Sequence, residues 1–192
     1  DGDGDGDGDG DVTISDVGVN VDAATYTGDL VIGTVSVNSK TIQTGSGTSN
    51  ITIGASVAAT AITGGAGNDT INLTSTTAHT GTIALNAGTN VLTLVNSGNI
   101  GGATVTATGG TINFTIASGA NVTMSQAQHD LMEAGTLTSA GTNILTFSDA
   151  GTGQVADALV ERYVFANGTN SFTAAAQTTN ITGNAGTDTF IM

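Results

Sequence analysis

One pattern of apolar and polar positions recurs along this chain: a glycine is followed four and six residues later by apolar side chains. Seven copies of the pattern begin at Gly47, Gly67, Gly88, Gly110, Gly141, Gly168 and Gly186. The intervals between them are 20, 21, 22, 31, 27 and 18 residues, which is a period near 21 with two longer intervals. Because alternate residues of a strand face the same side, each copy predicts a short strand with two inward side chains. Repeats of this kind are typical of solenoids, in which successive coils stack.

Stacking the copies predicts two columns of buried side chains. The column four residues after the glycine contains Ile51, Ile71, Leu92, Phe114, Leu145, Phe172 and Phe190. The column six residues after it contains Ile53, Leu73, Leu94, Ile116, Phe147, Ala174 and Met192. We therefore expect an all-β protein, a right-handed parallel β-solenoid. The alternative is an antiparallel β-sandwich, which also has short strands at close intervals but has no reason to keep a glycine in register with the strand that follows.

Departures from the period divide the chain. Residues 1–39 contain no copy of the pattern and predict an acidic leader with irregular strands, whereas residues 40–192 predict the solenoid, with insertions near 119–141 and 148–166. In the first insertion, Ser125 and Gln128 have the spacing of a capping box, which predicts one short helix ending at Gly135. This helix is expected to carry His129 on its surface.

The position two residues after the glycine is polar in most copies. It is occupied by Ser49, Asp69, Asn90, Ile112, Asn143, Asn170 and Asp188. Stacking would bring these side chains within hydrogen-bonding distance, and the amide of Asn suits such a ladder because it both donates and accepts. Stacked carboxylates would repel each other unless a cation lay between them. The asparagines therefore predict a structural ladder, and the aspartates predict places where a cation can bind.

Charge is distributed unevenly along the chain. The net charge is −14; nine of the sixteen acidic residues lie among the first thirty residues, and Lys40 and Arg162 are the only lysine and arginine. So few cationic side chains argue against nucleic acid as a partner. No apolar run reaches the roughly 18 residues of a transmembrane helix, so we expect no membrane insertion. The chain has no cysteine, which excludes disulfides and thiolate metal sites.

The string GGAGNDTIN at residues 64–72 matches the nonapeptide G-G-x-G-x-D-x-U-x at every defined position, and GNAGTDTFI at residues 183–191 matches it except for Asn184. This nonapeptide resembles the calcium-binding repeat of RTX (haemolysin-type) proteins. The resemblance implies calcium held between coils, with Gly65, Gly67, Asp69, Gly186 and Asp188 as the residues that carry the site. Family members usually run several nonapeptides in tandem, whereas each copy here stands alone. The alternative at Asp69 is a carboxylate that only accepts backbone hydrogen bonds.

The first sixteen residues carry a second acidic pattern, DGDGDGDGDGDVTISD. Read from residue 5, it places carboxylates at loop positions 1, 3, 5, 7 and 12, on Asp5, Asp7, Asp9, Asp11 and Asp16. This arrangement resembles the calcium loop of dockerins and EF-hands, which implies that these residues bind Ca²⁺. The alternative is a flexible acidic linker.

Catalytic patterns are weak in this chain. His79 and His129 have no carboxylate at the spacing of a known metal-ligand motif, so we expect both to be structural. Asp149, Asp157 and Glu161 could pair as the carboxylates of a polysaccharide-active β-solenoid enzyme. Because aromatic residues make up only 4% of the chain, few side chains are available to stack on a sugar ring, and we expect no enzymatic activity.

The threonine- and asparagine-rich repeats resemble those of large secreted bacterial surface proteins, the S-layer and adhesin relatives of RTX proteins. The resemblance implies a non-enzymatic, calcium-stabilised extracellular structural protein on the bacterial cell surface, which self-assembles into a surface layer, stalk or filament. The apolar side chains Phe190 and Met192, and the alternating valines of residues 12–21, predict head-to-tail homo-oligomers. The alternative is a ligand-binding adhesin module, whose insertions would recognise a surface polysaccharide. The first residue is not Met, as in a mature product or a piece of a longer protein.

Overall fold

The structure, a computed structural model, describes residues 10–74, 77–96, 98–174 and 180–192. Within these ranges the chain forms nineteen short strands and one helix. The first ten strands are β1 (Val12–Ile14), β2 (Val21–Asp22), β3 (Leu30–Val35), β4 (Thr41–Gln43), β5 (Ser49–Ile53), β6 (Ala61–Thr63), β7 (Asp69–Leu73), β8 (Thr82–Leu85), β9 (Gly88–Leu94) and β10 (Thr104–Ala107). They are followed by β11 (Gly110–Ile116), β12 (Asn121–Met124), α1 (Gln126–Ala134), β13 (Leu137–Ser139), β14 (Ile144–Phe147), β15 (Gln154–Val155), β16 (Arg162–Val164), β17 (Gly168–Thr173), β18 (Asn180–Thr182) and β19 (Gly186–Ile191).

The strands form four sheets, and every strand pair in the described residues is parallel. The orders are β1-β3-β5-β7-β9-β11-β13, β10-β8-β6-β4-β2, β12-β14-β16-β18 and β15-β17-β19. Parallel neighbours need a long crossover, and here the rest of each coil supplies it. The fold is a parallel β-solenoid of about nine coils with one short helix, as predicted. The antiparallel sandwich is wrong.

The two predicted columns exist in the N-terminal coils. Ile51, Ile71, Leu92 and Phe114 are successive neighbours across the sheet, as are Ile53, Leu73, Leu94 and Ile116. All eight side chains are buried. The register of the glycines therefore predicted the register of the strands in this part of the chain.

The prediction that Leu145 and Phe147 continue these columns is wrong. The neighbour of Phe114 is Leu137, whereas Leu145 lies in another sheet between Val122 and Tyr163. The physical reason is that β12 and α1 intervene before the chain returns as β13. The copy of the pattern that begins at Gly141 consequently forms β14, the strand that follows β13 in sequence.

Near the C terminus the columns are only partly as predicted. Phe172 and Phe190 are register partners in β17 and β19. Phe172 is buried, but Phe190 is 44% exposed and Met192 is fully exposed, because β19 has a strand neighbour on one side only in the described residues.

The coils begin before residue 40. β1 and β3 belong to the seven-stranded sheet, and β2 belongs to the five-stranded sheet, so the stack extends into the segment predicted to hold irregular strands. The two predicted insertions also contain regular strands of the stack, β12, β15 and β16 among them.

Helix α1 is the element that departs from the coil pattern, and its capping was predicted. The Ser125 side chain accepts a hydrogen bond from the Gln128 amide, the Gln128 side chain accepts one from the Ser125 amide, and Gly135 is the C-cap. The helix contacts β10, the last strand of the five-stranded sheet, and β15, the first strand of the three-stranded sheet. It therefore lies between two sheets that do not pair with each other.

The composition of the core changes along the solenoid. The buried side chains of the N-terminal coils are mainly Ile, Leu and Val. In the C-terminal coils an aromatic cluster takes over, formed by Phe147, Tyr163, Phe165, Phe172 and Phe190. Within it the ring centroids of Tyr163 and Phe172 are 4.7 Å apart. Large aromatic side chains fill a wider interior with fewer residues.

Candidate metal centres

Asp69, the first residue of β7, lies inside the solenoid. Its side chain is fully buried, and neither carboxylate oxygen has a partner at hydrogen-bonding geometry. Burial raises the pKa of this carboxyl; the Ser49 hydroxyl and the amides of Gly65 and Ser49 lie close enough to offset only part of the rise. A buried, unpaired carboxylate is expensive unless it is protonated or bound to a cation. A cation such as the calcium that the nonapeptide implies would relieve this cost, and so would a proton.

Glycine provides the space that this carboxylate occupies. A Cβ atom added to Gly64 would lie 2.5 Å from Oδ2 of Asp69, so no other residue type fits there without displacing the carboxylate. On the other side of the strand, the Asp69 amide donates a hydrogen bond of 2.9 Å to Oδ1 of Asn90. The Asn90 side chain is itself held by a bond of 3.1 Å from its Nδ2 to the Ala87 carbonyl. The adjacent coil thus positions Asp69 through its backbone.

The two glycines predicted to carry the site have different surroundings. Gly65 lies beside the Asp69 carboxylate, and its α-carbon packs on the preceding coil, where an added Cβ would be 1.5 Å from the Gly45 carbonyl oxygen. Gly67 packs in the same way on Gly47, and its own carbonyl oxygen lies against Gly88 of the next coil. Gly67 therefore allows neighbouring coils to pack closely, and its carbonyl oxygen points towards the next coil.

The second nonapeptide repeats the arrangement in a more open form. A Cβ atom on Gly183 would lie 2.2 Å from Oδ2 of Asp188, which matches the relation of Gly64 to Asp69. Oδ1 of Asp188 accepts a hydrogen bond of 2.8 Å from Nδ2 of Asn170, as the predicted ladder requires. Gly186, with φ +136°, packs on the Gly168 carbonyl. Asp188 is only partly buried, so solvent can reach this corner.

The predicted asparagine ladder is continuous only in part. Asn90, Asn143 and Asn170 are all buried. The strands that contain or follow these asparagines belong to three different sheets, so the three do not form one ladder, and Nδ2 of Asn143 donates to the Ser139 hydroxyl.

The structure describes two of the five leader residues predicted to bind calcium. Asp5, Asp7 and Asp9 lie outside the described residues. Asp11 is exposed, and its Oδ1 accepts a hydrogen bond of 3.0 Å from the Asp29 amide. Asp16 is exposed.

The contact of Asp11 is one example of a corner clamp, in which an Asn or Asp side-chain oxygen accepts a hydrogen bond from a backbone amide of an adjacent coil. Asp29 binds the Thr48 amide at 2.8 Å, Asn68 the Thr89 amide at 2.7 Å, and Asn113 the Thr136 amide at 3.0 Å. These amides lie just before or at the start of strands, where the hydrogen bonding between neighbouring strands does not yet provide a backbone acceptor. The corner clamps explain why Asn and Asp recur at the coil corners.

His129 is buried, and the prediction that it lies on the helix surface is wrong. Its Nδ1 is 2.6 Å from Oε1 of Gln154, and its Nε2 is 3.2 Å from the Tyr163 hydroxyl oxygen. The ring also contacts Phe147 edge-on at 5.2 Å. Burial lowers the pKa of His129. The helix packs a polar face inward, and hydrophobic periodicity therefore gave no signal for it.

The carboxylates considered for an enzyme each accept a backbone hydrogen bond. Oδ1 of Asp149 binds the Gln126 amide at 2.8 Å, Oδ1 of Asp157 binds the Leu159 amide at 2.7 Å, and Oε2 of Glu161 binds the Asn143 amide at 2.6 Å. These bonds assign a structural contact to each carboxylate. His79 is also buried, and burial lowers its pKa.

Within the described residues, no helical segment combines the length and the apolar character of a membrane span. No protein-family model, no curated protein and no solved structure matches this chain.

Proposed function

We propose that this chain is a non-enzymatic, calcium-stabilised structural protein of the bacterial cell surface, which assembles into a layer, stalk or filament. The observation that carries the proposal is the parallel stack of coils, in which the β19 edge has no second strand partner among the described residues. This strand pairs with β17 alone among the described strands, and its neighbouring apolar side chains Phe190, Ile191 and Met192 are exposed. An unpaired strand edge with exposed apolar residues is a template for a further parallel strand.

The calcium part of the proposal rests on the surroundings of Asp69. Neither oxygen of the buried carboxylate has a partner at hydrogen-bonding geometry, and a carboxylate is a ligand of the type that Ca²⁺ prefers. Asp188, at the more open corner, would hold a second ion. A third would bind to the leader, at Asp5, Asp7, Asp9, Asp11 and Asp16. A ligand that binds only the folded state stabilises it in proportion to the logarithm of its concentration.

The calcium part is tested by thermal unfolding with and without calcium. The wild type should gain several degrees, and Asp69→Asn should lose part of that gain. Asp22→Asn is the matched control, because Asp22 is exposed and its carboxylate accepts a hydrogen bond from the Ala24 amide, two residues away. Equal calcium stabilisation in the Asp69→Asn variant and the wild type would overturn the assignment of calcium to Asp69.

The occupant proposed for the β19 edge is the N-terminal coil of a second copy. Among the described strands, β1 is the outermost strand of its sheet and pairs with β3 alone, so a strand of another copy would add to it as it would to β19. Parallel addition of one coil to the next would continue the stack between subunits and give head-to-tail homo-oligomers.

Sedimentation velocity tests this assembly. Full-length protein should form larger species in calcium and return to monomer in chelator. Ile191→Lys should prevent assembly, because it places a charge on the exposed edge, whereas Leu159→Lys changes a similarly exposed residue (44%, against 51% for Ile191) away from that edge. If the Ile191→Lys variant assembles as the wild type does, the β19 edge is not the joint. Protein that folds in calcium and stays monomeric would instead support the adhesin module, with a surface polysaccharide as its ligand.

A further inference from the structure

A group of metal-ligating side chains lies on α1, far in sequence from the nonapeptides. Among the described residues, His129, Asp130 and Glu133 bring one ligand atom each within 4.8 Å of one another. Nδ1 of His129 and Oε1 of Glu133 are 3.7 Å apart. Two ligands about 2.1 Å from a tetrahedral ion lie about 3.4 Å apart, so a small movement of the Glu133 side chain would let both atoms bind one ion.

A fourth oxygen borders the same space. Oε1 of Gln154, from β15, is 2.6 Å from Nδ1 of His129, and Nε2 of Gln154 donates a hydrogen bond of 2.7 Å to Oδ1 of Asp130. Because the amide oxygen only accepts, Nδ1 of His129 carries the proton in the absence of metal. A metal ion would replace this proton, with the Gln154 oxygen beside it.

The far side of the histidine ring is held in the manner typical of a metal ligand. Metal-binding histidines commonly donate their second ring nitrogen to an oxygen. Here Nε2 of His129 faces the Tyr163 hydroxyl oxygen at 3.2 Å, and that oxygen is fixed by a hydrogen bond of 2.8 Å from the Asp157 amide. Phe147 packs against the ring edge-on. The imidazole is thus pre-oriented before any ion arrives.

The charge around the group favours a cation. Asp130, Glu133 and Asp157 lie near one another, and no lysine or arginine forms an ion pair with them in the part of the chain that the structure describes. The charges of Asp130 and Asp157 repel the Glu133 carboxylate. A divalent ion would relieve this repulsion.

We propose that His129, Asp130 and Glu133, with Gln154, form a binding site for a divalent transition metal ion such as Zn²⁺. Imidazole combined with carboxylates suits Zn²⁺, Co²⁺, Ni²⁺ and Cu²⁺, whereas Ca²⁺ takes oxygen ligands. The site would tie α1 to β15, the first strand of the three-stranded sheet. It is separate from the proposed calcium corners and does not depend on them.

The test is a Zn²⁺ titration of the full-length protein in excess Ca²⁺, which occupies the carboxylate-only sites. Nitrogen-detected NMR of the histidine rings follows the binding, because the chain contains only two histidines. Zn²⁺ should shift the ring signals of His129, and Ca²⁺ alone should leave them unchanged. Glu133→Gln should weaken the affinity at least about 10-fold, with Asp130→Asn as a second, exposed variant. Glu161→Gln is the matched control, since Glu161 is the other glutamate, and should bind as the wild type does.

Two results would overturn the proposal. The first is a His129 ring whose signals do not move at saturating Zn²⁺. The second is an unchanged Zn²⁺ affinity in both the Glu133→Gln and the Asp130→Asn variants. A similar loss in Glu161→Gln and Glu133→Gln would also count against the site, because it would reflect net charge rather than coordination.

Discussion

The α-carbon of Gly67 rests against the carbonyl oxygen of Gly47 in the preceding coil, so that an added Cβ atom would lie 2.1 Å from that oxygen. The obstacle is backbone held in a sheet, which cannot rotate away. Gly67→Ala should therefore separate the two coils locally and lower the free energy of unfolding by about 1–3 kcal/mol or more. Chemical denaturation monitored by circular dichroism measures this loss.

Gly18→Ala is the control for that substitution. A Cβ at Gly18 would meet only Cγ2 of Val37, at the ordinary contact distance of 3.8 Å. This variant should stay within about 0.5 kcal/mol of the wild type. Similar losses in both variants would mean that glycine flexibility, and not the close approach of the coils, sets the cost.

Leu92 tests the buried column. It is fully buried between Ile71 and Phe114, so Leu92→Ala should leave a cavity and cost about 2–5 kcal/mol of unfolding free energy. Leu145→Ala should cost a similar amount, because Leu145 is equally buried in its own sheet. Thr93→Ala, on the outward position beside Leu92, should cost much less. A loss under about 0.5 kcal/mol for Leu92→Ala would contradict the register of the coils.

Asp69 makes stability depend on pH in chelator. Because burial raises its pKa in the folded state, the folded protein holds this proton at pH values where the unfolded chain has lost it. The contribution of Asp69 is therefore fully present below its ordinary pKa of 3.8 and is lost as pH rises through the raised value. Asp69→Asn should be the more stable protein at neutral pH without calcium, and the difference should shrink towards acid.

Denaturant unfolding of both proteins in chelator, from acid to neutral pH, measures this difference. Excess calcium should reverse the order at neutral pH, because only the carboxylate gains from the ion. A pH-independent difference between the two proteins would show that the Asp69 carboxyl does not titrate with the expected shift.

Tyr163 should resist ionisation. Burial is the main cause that raises the pKa of its hydroxyl, and the charges of Asp157 and Glu133 act in the same direction. The Tyr26→Phe variant leaves Tyr163 as the remaining tyrosine, so ultraviolet absorbance follows it alone. Phenolate should appear only when alkali unfolds the protein, and stability should fall as pH rises above the ordinary tyrosine value of about 10. Phenolate formation in the folded protein near that ordinary value would contradict the burial of Tyr163.

The sequence predicted the solenoid because glycine and two apolar positions kept one register. Glycine is required where the carbonyl of one coil touches the α-carbon of the next, as at Gly67 and Gly88, so the pattern directly reflects coil stacking. The pattern cannot report which side of the coil a strand occupies. Leu145 was misplaced for this reason, since α1 uses residues that would otherwise have formed a strand.

The sequence predicted some of the candidate metal-binding residues and missed others. The Asp69 corner follows from a local motif, although the role of Gly64 became visible only once the carboxylate was seen to lie over its α-carbon. The surroundings of His129 could not be predicted, because Gln154 and Tyr163 are 25 and 34 residues away in sequence. The buried face of α1 comprises Gln126, Gln128, His129 and Met132, so three of its four residues are polar.

The aromatic cluster should determine the order in which the coils unfold. Each coil contacts only its neighbours, so stability is local, and aromatic pairs add about 0.5–1.5 kcal/mol each beyond the area they bury. Among the described residues these pairs lie in the C-terminal coils, where Phe147, Phe165 and Phe172 pack against one another. The aliphatic N-terminal coils should therefore lose hydrogen-exchange protection first. In a molecule that is pulled apart, the aliphatic coils should extend before the coils that contain Phe147, Phe165 and Phe172.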